Sequence, residues 1–274
     1  MALTVMTNTS SLNAQRHLGR TQHNLSMSMG RLSSGLKINR AGDNAAGLAI
    51  SENLRADLRS LKQAQQNAND GISLLQTAEG AMNEISGILG RMRELAMIAA
   101  TDTVGNTERA YSQLENAALI AEITRITDVT EFNGTTLIDG SASALDFQVG
   151  MQNTANDRLT VAIADVDATA LGVNALDIST KAGAQGALAT VDAAIQTMSG
   201  ARATIGSAEN RLQVTIGNLS STHENLSAAH SGIRDTDMAE ETASMTRSNI
   251  LMQAGVSVLA QANQLPSMAL SLLG

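Results

Sequence analysis

The sequence predicts a mainly α protein: a long coiled-coil-like helical bundle with a small β-hairpin region between its N- and C-terminal helical halves. Three observations carry this. Met198, Ile205, Leu212, Leu219, Leu226 and Ile233 fall in strict sevens with no proline between them. At 3.6 residues per turn, a seven-residue repeat lays all six on one slowly winding stripe, the candidate core of a middle bundle. The apolar palette is aliphatic, with two Phe, one Tyr and no Trp, and the single proline, Pro266, lies near the end. Finally, the period changes around the tight-turn dipeptides Asn133-Gly134 and Asp139-Gly140. The heptad rod is roughly 50 Å long at 1.5 Å per residue, too long to bury its stripe against itself. It requires other rods, from this chain or from copies of it.

Each element follows in order. Residues 1–36 are polar with a thin apolar line, Leu18, Leu25 and Leu32 in sevens and then Leu36, and predict a weakly amphipathic helix too narrow to fold alone. Residues 37–49 interrupt it, with Gly42, Asp43 and Asn44 reading as a non-helical connector. A phosphate-cradling loop there would need a Gly-Lys-Ser/Thr ending and a preceding strand, and has neither. Ile72, Leu75, Met82, Ile85, Leu89, Met92, Ala96 and Ala99 step by threes and fours and predict a long helix over about 51–100. After a break at 102–106 a third helix is expected over 107–127. Leu114, Ala118 and Ala121 lie on one side of it, and Leu119, Ile123 and Ile126 on another.

Short strands are expected at 135–138, 145–149 and 158–164, then helix again from about 184. Ser231–Asp237 should break the rod. Met238, Met245, Met252 and Leu259 then resume in sevens, and Pro266 is expected to end the last helix. The two thin terminal helices mirror each other and are expected to pair, bringing both chain ends to one end of the molecule.

Composition excludes several classes of function. A net charge of −8 opposes a nucleic-acid binder, which would carry a basic stripe. The chain has no cysteine, which removes disulfides, thiol catalysis and thiolate metal sites. The N-terminus lacks a basic region followed by a long apolar run, so no cleavable secretory signal is expected, and no apolar stretch is long enough to span a membrane. His223 and His230 lie seven apart rather than at the three-or-four spacing of helical zinc ligands. No His-Glu-x-x-His, Gly-x-Ser-x-Gly or Gly-x-Gly-x-x-Gly constellation suggests an enzyme or a cofactor. Glu240-Glu241 reads as solvated surface.

Several long motifs then converge. Arg31-Leu32-Ser33-Ser34-Gly35-Leu36-Lys37-Ile38-Asn39 and residues 43–51, Asp-Asn-Ala-Ala-Gly-Leu-Ala-Ile-Ser, resemble the N-terminal signature of bacterial flagellins. Residues 67–80, Arg91–Ala96 and Thr130–Gly134 are similar to further flagellin motifs. So are Ile233–Glu241 and the closing Leu270-Ser271-Leu272-Leu273-Gly274. The resemblance spans nearly the whole chain. It implies an inner terminal-helix domain of residues 1–44 plus 234–274, a middle helical bundle of 45–131 plus 182–233, and a β-hairpin part at 132–181. The large outer domains of many flagellins would be absent, making this a minimal form.

The function expected is polymerisation into an extracellular flagellar filament for motility. The terminal helices, through Leu18, Leu25, Leu32, Met238, Met245, Met252 and Leu259, are expected to stay loose in the free subunit and to order against neighbours. A repeating contact that does not close gives an open helical array. The resemblance further implies type III export, an export chaperone at the C-terminal segment and a filament cap. Arg91, Leu95 and Glu115 match positions through which an innate immune receptor contacts some flagellins, although Gly90, Ile98 and Leu119 depart from the recognised type. Two rivals stand beside this reading: a hook–filament junction protein, and a soluble coiled-coil adaptor that binds a partner helix.

Overall fold

The computed structural model describes residues 7–142 and 144–271, with side chains described through residue 264. The first six residues and the last three of the closing motif lie outside the described residues. In chain order the elements are α1 (Thr9–Ser34), α2 (Ala45–Ala99), α3 (Asn106–Val129), β1 (Glu131–Phe132), β2 (Thr135–Thr136), β3 (Leu145–Gln148), β4 (Arg158–Val161), α4 (Lys181–Arg234) and α5 (Met238–Ser271). The protein is mainly helical, with two small antiparallel hairpins, β1–β2 and β3–β4, between its helical halves. Contacts divide it into two compact units, residues 57–224 and residues 1–56 with 225–274.

The 57–224 unit is built around large aliphatic side chains. Leu75, Met82, Ile85 and Leu89 of α2, Ile123 of α3, and Met198, Ile205 and Leu212 of α4 are at most 1% exposed. They form one core cluster with Leu137, Ile138, Val161, Ile163 and Val166 of the β region. Close-packed interiors tolerate volume changes poorly. In α3 the Leu119/Ile123/Ile126 side faces this core, whereas Leu114 is 69% exposed.

The β1–β2 turn places Asn133 and Gly134 at φ of 52° and 77°, the left-handed geometry that a two-residue hairpin loop requires. β3 pairs with β4 from Leu145↔Val161 to Gln148↔Arg158. This hairpin lies against α2. Asn67 Nδ2 donates to the Gln148 carbonyl at 3.0 Å, and a Cβ on Gly71 would come within 2.9 Å of the Phe147 ring. Buried Arg109 closes the α2–α3 turn. Its guanidinium donates to the carbonyls of Ala99 (2.8 Å) and Thr101 (2.7 Å) and to Asn106 Oδ1 (2.8 Å).

Four features differ from the sequence reading. The helix expected from about 51 begins at Ala45, because Asn44 Oδ1 accepts from the Gly47 amide at 2.9 Å and caps it. The strands are shorter than expected, and β1 is added to them. Leu219, Leu226 and Ile233 continue the heptad but are only half-buried. The buried seam ends at Leu212, beyond which Leu219 lines an open groove with Leu61, Val149 and Val214. Finally, α5 does not stop at Pro266 but runs on to Ser271. A proline forfeits one helical hydrogen bond, to the carbonyl four residues back, and that carbonyl has another donor here.

Candidate assembly surface

The 1–56/225–274 unit contains the terminal helices, and its construction is the reverse of the core just described. The α1 helix starts at Asn8, whose Oδ1 accepts from the Ser11 amide at 3.0 Å. It ends at Gly35, left-handed at φ 72°, whose amide donates to the Arg31 carbonyl. The Asp237 carboxylate caps α5 by accepting from the amides of Ala239 (2.8 Å) and Glu240 (3.2 Å). Glu240 and Glu241 in its first turn suit the positive end of the helix dipole.

These two helices pack antiparallel along their length. At one end, the Lys37 amide donates to the Arg234 carbonyl (2.7 Å) and the Thr236 amide to the Gly35 carbonyl (3.0 Å), around a bridge between Leu36 and Asp235. Arg31 meets Glu241 at 3.5 Å, and Arg234 pairs with Glu52. In the middle, Leu18 Cδ1 lies 2.9 Å from where a Gly255 Cβ would stand. At the other end, Asn8 reaches the Ala262 carbonyl and Ser11 reaches Asn263. In the connector, the Asp43 carboxylate accepts from the amides of Asn39 and Arg40, both at 3.0 Å. These backbone bonds, Arg40's the stronger, hold its carboxyl below the usual range.

The buried residues of α1 are Ser11, Leu25 and Ser28, and the buried residue of α5 among those described is Ala262. Small residues at a seam let helices approach closely but remove little apolar surface from water. Of the predicted assembly residues, Leu25 is buried; Leu18, Leu32, Met245, Met252 and Leu259 are half-buried; Met238 is 53% exposed. Other large apolar side chains point outward. Leu12, Met29, Ile250, Leu251, Val256 and Val258 are all more than half exposed. Apolar side chains left exposed on two long helices are the material of an interaction surface.

The predicted receptor-contact residues fare differently. Arg91 and Glu115 are exposed, but Arg91 Nε donates to Glu115 at 2.8 Å and its Nη1 to Glu94 at 2.9 Å. Leu95 is 3% exposed, enclosed in a cluster with Ala99, Ile178, Ala184 and Ala187, and is therefore not a surface contact. Heptad and three-four stepping distinguishes a buried face only when the neighbouring elements are known, and the segment around Ile178 supplied this neighbour. Sequence reading also missed Asn8, Ser11 and Asp237. Their signal was present as polar capping residues directly before helical runs.

Among the described residues, no group of three or more His, Asp or Glu could hold a metal ion. No helix there is long and apolar enough to cross a membrane.

Two family models match the chain. Residues 5–143 match the bacterial flagellin N-terminal helical region and residues 188–273 the bacterial flagellin C-terminal helical region. A flagellin of Halalkalibacterium halodurans is 45% identical over 266 residues, covering 97% of this chain and 98% of that one. The flagellar filament 33 kDa core protein of Treponema phagedenis is 39% identical over 282 residues, covering 97% and 98%. The crystal structure of Bacillus cereus flagellin superposes with a TM-score of 0.51 at 33% identity, covering 60% of this chain and 94% of that one.

Proposed function

Since the chain belongs to the bacterial flagellin family, we propose that the α1–α5 pair is the part of this subunit that joins one copy to the next. The protein is a structural subunit, not an enzyme, and polymerises into the extracellular flagellar filament that drives motility. Relatives that are filament proteins over nearly the whole length favour this over a junction protein or a soluble adaptor.

The observation that carries the proposal is the outward apolar face of the terminal pair. Ordering backbone costs ~1–2 kcal/mol per residue, and α1 has 26 residues. A seam in which Leu25 is the one buried large residue, with Leu18, Leu32, Met245, Met252 and Leu259 half-buried, offsets only part of that. Each exposed Leu, Ile, Val or Met adds ~1.5–3 kcal/mol only when something covers it. Neighbouring copies supply that cover, so the pair is marginal in the free subunit and firm in the filament. Growth is then confined to filament ends while free subunits stay dispersed.

The test replaces the outward Leu12, Met27 and Met29 together by alanine and, separately, the outward Ile250, Leu251 and Val258. Each triple variant should fail to elongate filament seeds, as seen by electron microscopy, while the 57–224 unit melts at its native temperature. Normal elongation by either would sink the proposal. By resemblance, the C-terminal segment also serves an export chaperone, and a cap directs assembly. Contact with an innate immune receptor would rest on Arg91 and Glu115 alone and would have to break their mutual ion pair.

A further inference from the structure

We propose that Asn8 is a clasp that sets the register of the terminal pair by reading the one interior carbonyl of α5 that Pro266 leaves without a helical donor. In an α-helix, the carbonyl of residue 262 accepts from the amide of residue 266. Residue 266 is proline, the only one in the chain, and has no amide hydrogen. Asn8 Nδ2 donates to that carbonyl at 2.7 Å. The same side chain uses its other end to cap α1, Oδ1 accepting from the Ser11 amide at 3.0 Å. A flipped amide would set oxygen against the carbonyl and NH2 against the Ser11 amide, so the two bonds fix its orientation together. Ser11 Oγ donates to Asn263 Oδ1 at 2.8 Å beside it, and Ser11 and Ala262 are both buried.

The register follows from where acceptors are free. Other interior carbonyls of α5 have a helical donor four residues on. If α1 slid along α5 by one turn, about 5.4 Å, Asn8 would face an occupied carbonyl and Ala262 would be left unpaired. A single polar contact of this kind specifies alignment in helix pairs whose apolar contacts alone would tolerate a shift. With the main-chain bonds at Lys37 and Thr236 holding the opposite end, the pair is pinned at both ends. The outward apolar side chains are thereby presented in one arrangement.

This clasp rests on the reading that the α1–α5 pair joins subunits, and the experiment separates the two. Asn8→Ser keeps a side-chain oxygen to cap α1 but is too short to reach Ala262. Pro266→Ala returns an amide to residue 266. Losing one hydrogen bond to a buried carbonyl should slow elongation of filament seeds about five-fold in Asn8→Ser, and less than about two-fold when Pro266→Ala is also present. A capping role alone would give the same slowing in both backgrounds. Register is read independently with L18C/G255C, since the chain has no cysteine of its own. Disulfide yield should fall in Asn8→Ser and recover in the double variant. Native-rate growth of Asn8→Ser, or equal slowing with and without Pro266, overturns the clasp and leaves assembly through the pair standing. Failure of the unsubstituted chain to elongate seeds speaks against the assembly reading itself.

Discussion

The two units of this protein use long helices in opposite senses. Between α2, α3 and α4 the large side chains face inward: Leu75, Met82, Leu89, Met198 and Leu212 are fully buried. Between α1 and α5 Leu25 is buried together with the small Ser11, Ser28 and Ala262, while Leu12, Met29, Ile250 and Leu251 lie outside. One unit therefore completes its core within the subunit, and the other presents most of its apolar surface to whatever comes next. A seven-residue repeat is common to both. What differs is which side of the helix the partner within the subunit occupies.

Variants can break this contrast or sharpen it. The largest effect is expected in the 57–224 core. Leu89→Ala should lower subunit stability by ~2–5 kcal/mol, read as a drop in the melting midpoint, while subunits still folded elongate seeds normally. A smaller loss, ~1–3 kcal/mol, is expected from Gly71→Ala, whose Cβ would press on Phe147 and lift the β3–β4 hairpin from α2. Removing the cap of α5 with Asp237→Ala should cost ~1 kcal/mol and should appear in filament stability, with no change in the subunit melt. If it shifted the subunit melt as well, the units would not be energetically distinct.

The smallest effect is Glu209→Gln. Burial, and then the charge of Glu79, push the Glu209 carboxyl above its ordinary 4.5, and one of its oxygens is buried without a hydrogen bond. Its neutral form favours folding, so that stability is present below pH 4.5 and lost as pH rises through the raised value. Glu209→Gln should therefore stabilise the subunit by roughly 0.5 kcal/mol at pH 7, with the gain disappearing below about pH 4.5 in melts across that range.

Much of this was legible in the sequence, and the limits are physical. The Met198–Leu212 heptads and the three-four stepping of Leu75 to Ala99 located the core helices because their periodicity is local. The Asn133-Gly134 dipeptide located a hairpin because its turn demands positive φ. The end of the seam past Leu212 was not legible, because burial there depends on how far the β region extends over α4. Leu95 was named on resemblance alone, and Ile178, which helps to enclose it, is distant in sequence. Pro266 read as a terminator because a lost hydrogen bond is a local fact, whereas its replacement comes from Asn8, 254 positions from the Ala262 carbonyl it reaches. The seam of the terminal pair was the least visible feature. A line of leucines says that a helix has an apolar side, but not whether the subunit or its neighbour covers it.

Backbone amide hydrogen exchange on free subunits and on filaments tests that distinction most directly. The amides of α1 and α5 should exchange rapidly in the free subunit and become strongly protected in the filament, while those of the 57–224 helices are protected in both. Terminal amides as protected in the isolated subunit as those around Leu89 would contradict the account.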